Sequence, residues 1–169
     1  MAGESRVIWN AVNRPPTREC YKVLLGALHW APPTVIQGNW RQVILSGRYA
    51  IKIPRADRQE GGRCLNRWEA ELWSVWRPRF GWTYLCPVVW AAADGSVLVM
   101  ERATQDVTPE EIAAIENNDD HPRPSCESKP EDWGRLEDGR VVMLDYGYAC
   151  DSEETIRSER AYLGGFSGR

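Results

Sequence analysis

Three stretches of this chain predict an α+β domain in which an antiparallel sheet carries one long helix. Residues 35–53 alternate with a period of two across two turn signals. Residues 64–76 place Leu65, Trp68, Leu72, Val75 and Trp76 at helical spacing. Residues 85–103 return to strand-like runs joined at Asp94-Gly95, a pair suited to a hairpin turn. With 169 residues and 43% hydrophobic content, the chain has the length for one cored domain and is too apolar for wholesale disorder.

In order along the chain, residues 1–16 are polar, end in Pro15-Pro16 and read as an arm. Thr17 is placed to cap a helix through Cys20, Val23, Leu24, Ala27 and Leu28, which Pro32-Pro33 stops and His29 ends as a packing residue. Residues 1–34 therefore form an expected arm and helix. Residues 35–45 read as two strands around Gly38-Asn39, and 49–54 as a third after Ser46-Gly47. In that third strand Ala50 and Lys52 share one face, and Tyr49, Ile51 and Ile53 share the other.

A polar loop is expected over 55–62, followed by the helix over 64–76. Glu69 and Glu71 lie two residues apart on that helix, so only one of them can point inward. Strands are expected over 85–93 and 96–103. Thr108-Pro109-Glu110-Glu111 is a capping box with proline at the first helical position, opening a helix to Asn117. Residues 118–124, with His121, read as an exposed loop. Asp138-Gly139, between Trp133 and the apolar run 141–144, signals a second hairpin. Its two arms place Asp132 and Asp145 side by side. A last helix is expected over 151–163, anchored by Ile156 and Tyr162, and 164–169 as a flexible tail.

Composition excludes several classes. A net charge of −3 argues against non-specific nucleic-acid binding. Five cysteines, without a Cys-x-x-Cys pair, and an opening that lacks the apolar run of a signal peptide predict reduced thiols and a cytoplasmic location. The longest apolar stretch, 84–93, is interrupted by Pro87 and is too short to span a bilayer, so no membrane partner is expected. Nine tryptophans against two phenylalanines suit either a core or a set of interface anchors.

Ala50-Ile51-Lys52, Val97 to Ala103, Lys129-Pro130-Glu131 and Asp145-Tyr146-Gly147, in this order and spacing, resemble the motifs of protein kinases. The resemblance covers roughly 35–103 and 125–149. It implies a protein-kinase-like N-lobe and hinge over 35–103, with an antiparallel sheet and one helix of the αC type. A severely truncated C-lobe over 104–163 would carry the catalytic-loop and Asp-Tyr-Gly segments.

By the same resemblance Lys52 holds nucleotide phosphates and pairs with Glu69, which is favoured over Glu71 by its spacing to Leu72-Trp73. Gly38 is what remains of the Gly-rich loop. Met100 is the gatekeeper, and the 101–103 backbone, Glu101 and Ala103 at its ends, meets an adenine edge. Glu127 stands at the catalytic base, Lys129 at the phosphate-contacting lysine, and Asp132 and Asp145 at the metal positions. ATP and magnesium are the implied cofactors.

The chain also departs from the pattern. Gly38 alone represents the three glycines, Ser125-Cys126 replaces His-Arg, Glu127 replaces aspartate, Asp132 replaces asparagine, and no peptide-substrate lobe follows Asp145. The expectation is a pseudokinase-like regulator or inhibitor that grips a protein partner, with exposed tryptophans as anchors and ATP and magnesium binding retained. Its truncated lower half also suits self-association into a homo-oligomer, and its small size suits a phage or bacterial source. The alternative is a minimal protein kinase, with Glu127 as base, Asp132 and Asp145 on metal and Lys52 on phosphates. Glu127→Ala separates the two, since it abolishes a catalytic effect and spares a steric one. A third reading is an unrelated α+β domain, which an unperturbed Lys52 and solvent-exposed Glu127, Asp132 and Asp145 would support.

Overall fold

The period-two alternation from residue 34 onward becomes three antiparallel strands: β1 (Thr34–Gln37), β2 (Arg41–Ser46) and β3 (Tyr49–Pro54). Two more, β4 (Val88–Ala91) and β5 (Leu98–Glu101), complete a five-stranded sheet in the order β1-β2-β3-β5-β4. A computed structural model describes residues 34–117, 124, 128–147 and 150–166. The expected arm and helix over 1–33 lie outside the described residues, as do His121, Ser125, Cys126, Glu127 and the end of the tail.

Between β3 and β4 runs α1 (Gln59–Glu71), continued by a π-helical turn, Leu72–Trp76, and by a short α2 (Arg77–Phe80). The helix thus starts earlier than expected, inside the supposed polar loop. Gly61 and Gly62 are there for contact, not for flexibility. A Cβ on Gly62 would lie 2.8 Å from both the Pro54 Cβ and the Trp40 carbonyl oxygen, so only glycine lets α1 rest on the end of β3. The helix also runs past residue 76, to Gly81, whose φ of +70° supplies the left-handed terminator.

The β4–β5 hairpin forms at Asp94-Gly95 as its turn residues require, although its strands are shorter than expected. Leu85 leaves this sheet to bridge Met143 instead, and Pro87, with no N–H to donate, precedes β4. Helix α3 (Pro109–Asn117) opens with the reciprocal bonds of the expected capping box: Glu111 N–H donates to Thr108 Oγ1, and Thr108 N–H donates to Glu111 Oε2.

A 3-10 turn, Pro130–Asp132, leads into β6 (Trp133–Arg135), which pairs with β7 (Val141–Met143) in a separate two-stranded sheet. The hairpin is clipped onto the larger sheet at two points. Thr104 and Arg135 exchange backbone bonds of 2.9 and 2.7 Å, and Met143 N–H donates to Tyr84 while its carbonyl accepts from Cys86. The α+β class with a multi-stranded antiparallel sheet and associated helices is therefore present.

The last helix, α4 (Glu153–Gly165), is capped by Ser152, whose hydroxyl accepts from Thr155 N–H at 3.2 Å. It is anchored by Ile156 and Leu163, both buried, and ion pairs Arg67–Glu153 and Arg160–Glu71 tie it to α1. Tyr162, the expected anchor, is exposed and packs edge-on against Phe166. Ile156 and Leu163 are seven residues apart, two turns on one face, whereas Tyr162 is rotated off it. Gly164 and Gly165, placed in the tail by their composition, complete this helix.

The core lies between α1, the sheet and the β6–β7 hairpin, and five of its buried side chains are tryptophan. Trp68, Trp73, Trp76, Trp82 and Trp133 are buried, while Trp40 and Trp90 are half-buried. Among the described residues, exposed tryptophan anchors for a partner are thus absent, because the indoles pack into the core, Trp76 and Trp82 on Phe80, the latter with centroids 5.0 Å apart. No helix among the described residues is long and apolar enough to cross a membrane.

Candidate functional site

Strand register decides which side chains face the groove between the sheet and the hairpin. Leu45, Ala50 and Met100 are cross-strand partners in one row, and Val43 pairs with Lys52 in the next. They form the upper wall of a cleft of about 620 Å³, a volume in the range of small-molecule sites. The hairpin supplies the lower wall with Lys129, Asp132, Leu144 and Asp145, and the connection after β5 supplies Glu101 to Gln105. The cleft thus gathers eight residues singled out from the sequence: Gly38, Lys52, Met100, Glu101, Ala103, Lys129, Asp132 and Asp145. Glu69 lies behind its wall, and Glu127 is outside the described residues.

Glu69 is the hub of the charged end. It is 0% exposed and accepts from Lys52 Nζ at 2.9 and 3.0 Å, and from Arg41 at 2.7 and 3.1 Å. The backbone N–H groups of Tyr146 and Gly147 also donate to it, each at 3.2 Å. A buried carboxylate survives desolvation only when so surrounded. Lys52, 5% exposed, spends another proton on the Leu144 carbonyl at 2.6 Å. Glu71 faces away and holds Arg160, so of the two glutamates the helix turns Glu69 inward. Gly147 permits the approach: a Cβ there would meet Glu69 Cγ at 2.7 Å.

Arg41 is the residue that the sequence reading passed over. Buried at the start of β2, it bridges Glu69, the Asn66 side-chain oxygen at 3.1 Å and Asp145 Oδ1 at 2.7 Å. Burial by itself would lower its pKa, but Glu69 and Asp145 hold it raised, so the guanidinium stays charged. One signal was available: in β2, Arg41 falls on the same face as Val43 and Leu45, an inward position where a charge needs a partner. Asn66, equally unforeseen, donates to the Lys52 and Gly95 carbonyls and fixes α1 against the sheet.

The two aspartates titrate in opposite directions. Partial burial pushes Asp145 up, but Arg41 and Lys52 more than offset it and hold the carboxyl at about 2. Burial and then the neighbouring Asp145 charge push Asp132 up to about 6, against the Lys129 N–H that donates to it at 3.2 Å. Proximity follows from the hairpin, whose closing bond runs from Leu144 N–H to the Asp132 carbonyl. Among the described residues no three His, Cys, Asp or Glu side chains gather as a metal cluster.

In the same lining, the backbone after β5 is only partly engaged. The amides of Arg102 and Thr104 donate to the Arg48 and Arg135 carbonyls, while that of Ala103 between them makes no such bond among the described residues. Ala103 lines the cleft together with the apolar Ala50, Met100 and Leu144. Gly38 lines the cleft too, but its N–H is committed to the Arg41 carbonyl at 2.9 Å. The cleft can therefore accept a flat apolar group with a hydrogen-bonding edge at one end and an anion at the other. The chain matches no known protein-family model, and a search of curated proteins finds no match.

Proposed function

We propose that this chain is a protein-kinase-like domain whose cleft binds a nucleotide and whose output is regulation of a protein partner rather than phosphoryl transfer. The observation that carries this reading is the Lys52–Glu69 pair, joined through Leu144 and Gly147 to the Asp145 loop, beside a cleft that Lys52 and Ala103 both line. In this reading the base lies between the apolar walls with its edge at Ala103, and Lys52 meets the phosphates. The sheet order and the position of α1 between β3 and β4 support the same assignment.

Two observations favour regulation over catalysis. Arg41 occupies the third glycine position of the Gly-x-Gly-x-x-Gly-x-Val pattern when Val43 is taken as its valine, and it engages Asp145. Beyond the cleft, the described chain adds only α3, the hairpin and α4, and α4 is spent on α1.

A minimal kinase is the second reading, favoured by the presence of Lys129, Asp132 and Asp145 in the same cleft. It requires Asp145 to leave Arg41. One experiment separates the two: thermal melts with ATP on wild type and Lys52→Met, with transfer of labelled γ-phosphate measured on the same samples. The proposal expects a rise in melting temperature of wild type that Lys52→Met loses, with no transfer to the chain or to a general protein acceptor; ligand at about 100 times its dissociation constant adds about 2.7 kcal/mol. Transfer that Lys52→Met loses supports the kinase instead, and no stabilisation in any sample contradicts both.

A further inference from the structure

We infer that the cleft binds its nucleoside phosphate without a divalent metal, because Arg41 already supplies the positive charge that Asp145 would otherwise take from one. This rests on the nucleotide reading above and adds to it the ionic form of the ligand.

The geometry is specific. The Arg41 guanidinium spends one N–H on Asn66, two on Glu69 and one on Asp145. Four of the five donors that an arginine carries are thereby fixed, in a side chain that is 5% exposed and held by a paired strand. A metal ion on Asp145 would have to share that carboxylate with a fixed cation 2.7 Å from its oxygen, or expel it. Expulsion would leave a buried guanidinium beside fewer partners, which is the costly way to break a buried pair. Asp132 does not relieve this, since one of its oxygens already accepts from Lys129 N–H.

Charge balance points the same way. Arg41 and Lys52 are matched by Glu69 and Asp145 with nothing added, so this group is complete as folded. Phosphate oxygens entering the cleft then meet Lys129 on the lower wall as a cation outside this balanced group. Arg41 does for Asp145 the neutralising that a metal does elsewhere.

The test is a binding titration of ATP into the full chain, with EDTA in one arm and excess Mg²⁺ in the other, repeated on Asp145→Asn. The inference expects the two arms to agree within less than about tenfold in dissociation constant, and Asp145→Asn to bind as well or better, because the carboxylate serves no metal and faces the phosphates. Binding seen only with Mg²⁺ overturns the inference and leaves the nucleotide reading standing. Should Asp145→Asn fail to fold, the two wild-type arms decide alone. Absence of ATP binding in both arms overturns the nucleotide reading and the inference with it.

Discussion

The Lys52 ammonium and the Glu69 carboxylate lie 2.9 and 3.0 Å apart, oxygen by oxygen, and neither side chain is open to solvent. Through this pair β3 and α1 are joined, and through Leu144 and Gly147 the loop after β7 joins them. Removing Glu69 leaves Arg41 and Lys52 buried without their shared counter-charge. Glu69→Ala is expected to cost about 3–5 kcal/mol in urea denaturation, against less than about 1 kcal/mol for Glu71→Ala, whose partner Arg160 is exposed. Equal losses would contradict the hub.

Gly147 tests the same contact from the other side. An added methyl would press on Glu69 Cγ at 2.7 Å and on the Leu65 carbonyl at 3.0 Å. Gly147→Ala should lose about 1–3 kcal/mol of stability as an overpacked site. Gly164, inside α4, has nothing within 4 Å of the place a methyl would take. It should respond oppositely, gaining about 0.5 kcal/mol as alanine. Denaturation of the two variants beside wild type checks both signs.

Helix α4 offers a cleaner contrast. Leu163 is buried and Tyr162 beside it is exposed. Leu163→Ala should lower stability by about 2–5 kcal/mol, and Tyr162→Ala by no more than about 0.5 kcal/mol. Similar melting temperatures for the two would show that α4 is not held by its Ile156–Leu163 face.

Asp145 and Asp132 predict opposite responses to pH. Asp145 sits at about 2 against an ordinary 3.8, so its stabilising contribution is complete above 3.8 and is lost as pH falls through about 2. Asp132 is raised to about 6 from 3.8, so its ionisation costs stability as pH rises across that interval. Asp132→Asn should therefore exceed wild type in stability above about pH 6 and match it below about pH 4. Asp145→Asn should fall short of wild type at neutral pH and approach it in acid. Urea midpoints across this range read both.

Much of the fold was legible because its signals are local. Strand alternation, the Asp94-Gly95 and Asp138-Gly139 turns and the Thr108 capping box each act within a few residues, and each formed where read. The misses depend on distant partners. Gly61 and Gly62 look like loop residues until Trp40 and Pro54 are laid against them, and Tyr162 outranks Leu163 only while α1 is out of view. The site divides in the same way. Lys52 and Glu69 were found through motif spacing, whereas Arg41 acquires meaning only when Asp145, far along the chain, reaches it.

The central claim is that one cleft binds a nucleotide, and backbone hydrogen exchange with and without ATP tests it most directly. The account expects slower exchange on adding ATP in three separate segments at once: the β1–β2 turn, residues 101–105 and residues 144–145, which line the same cavity. Protection confined to another surface, or no change at saturating ATP, would contradict it.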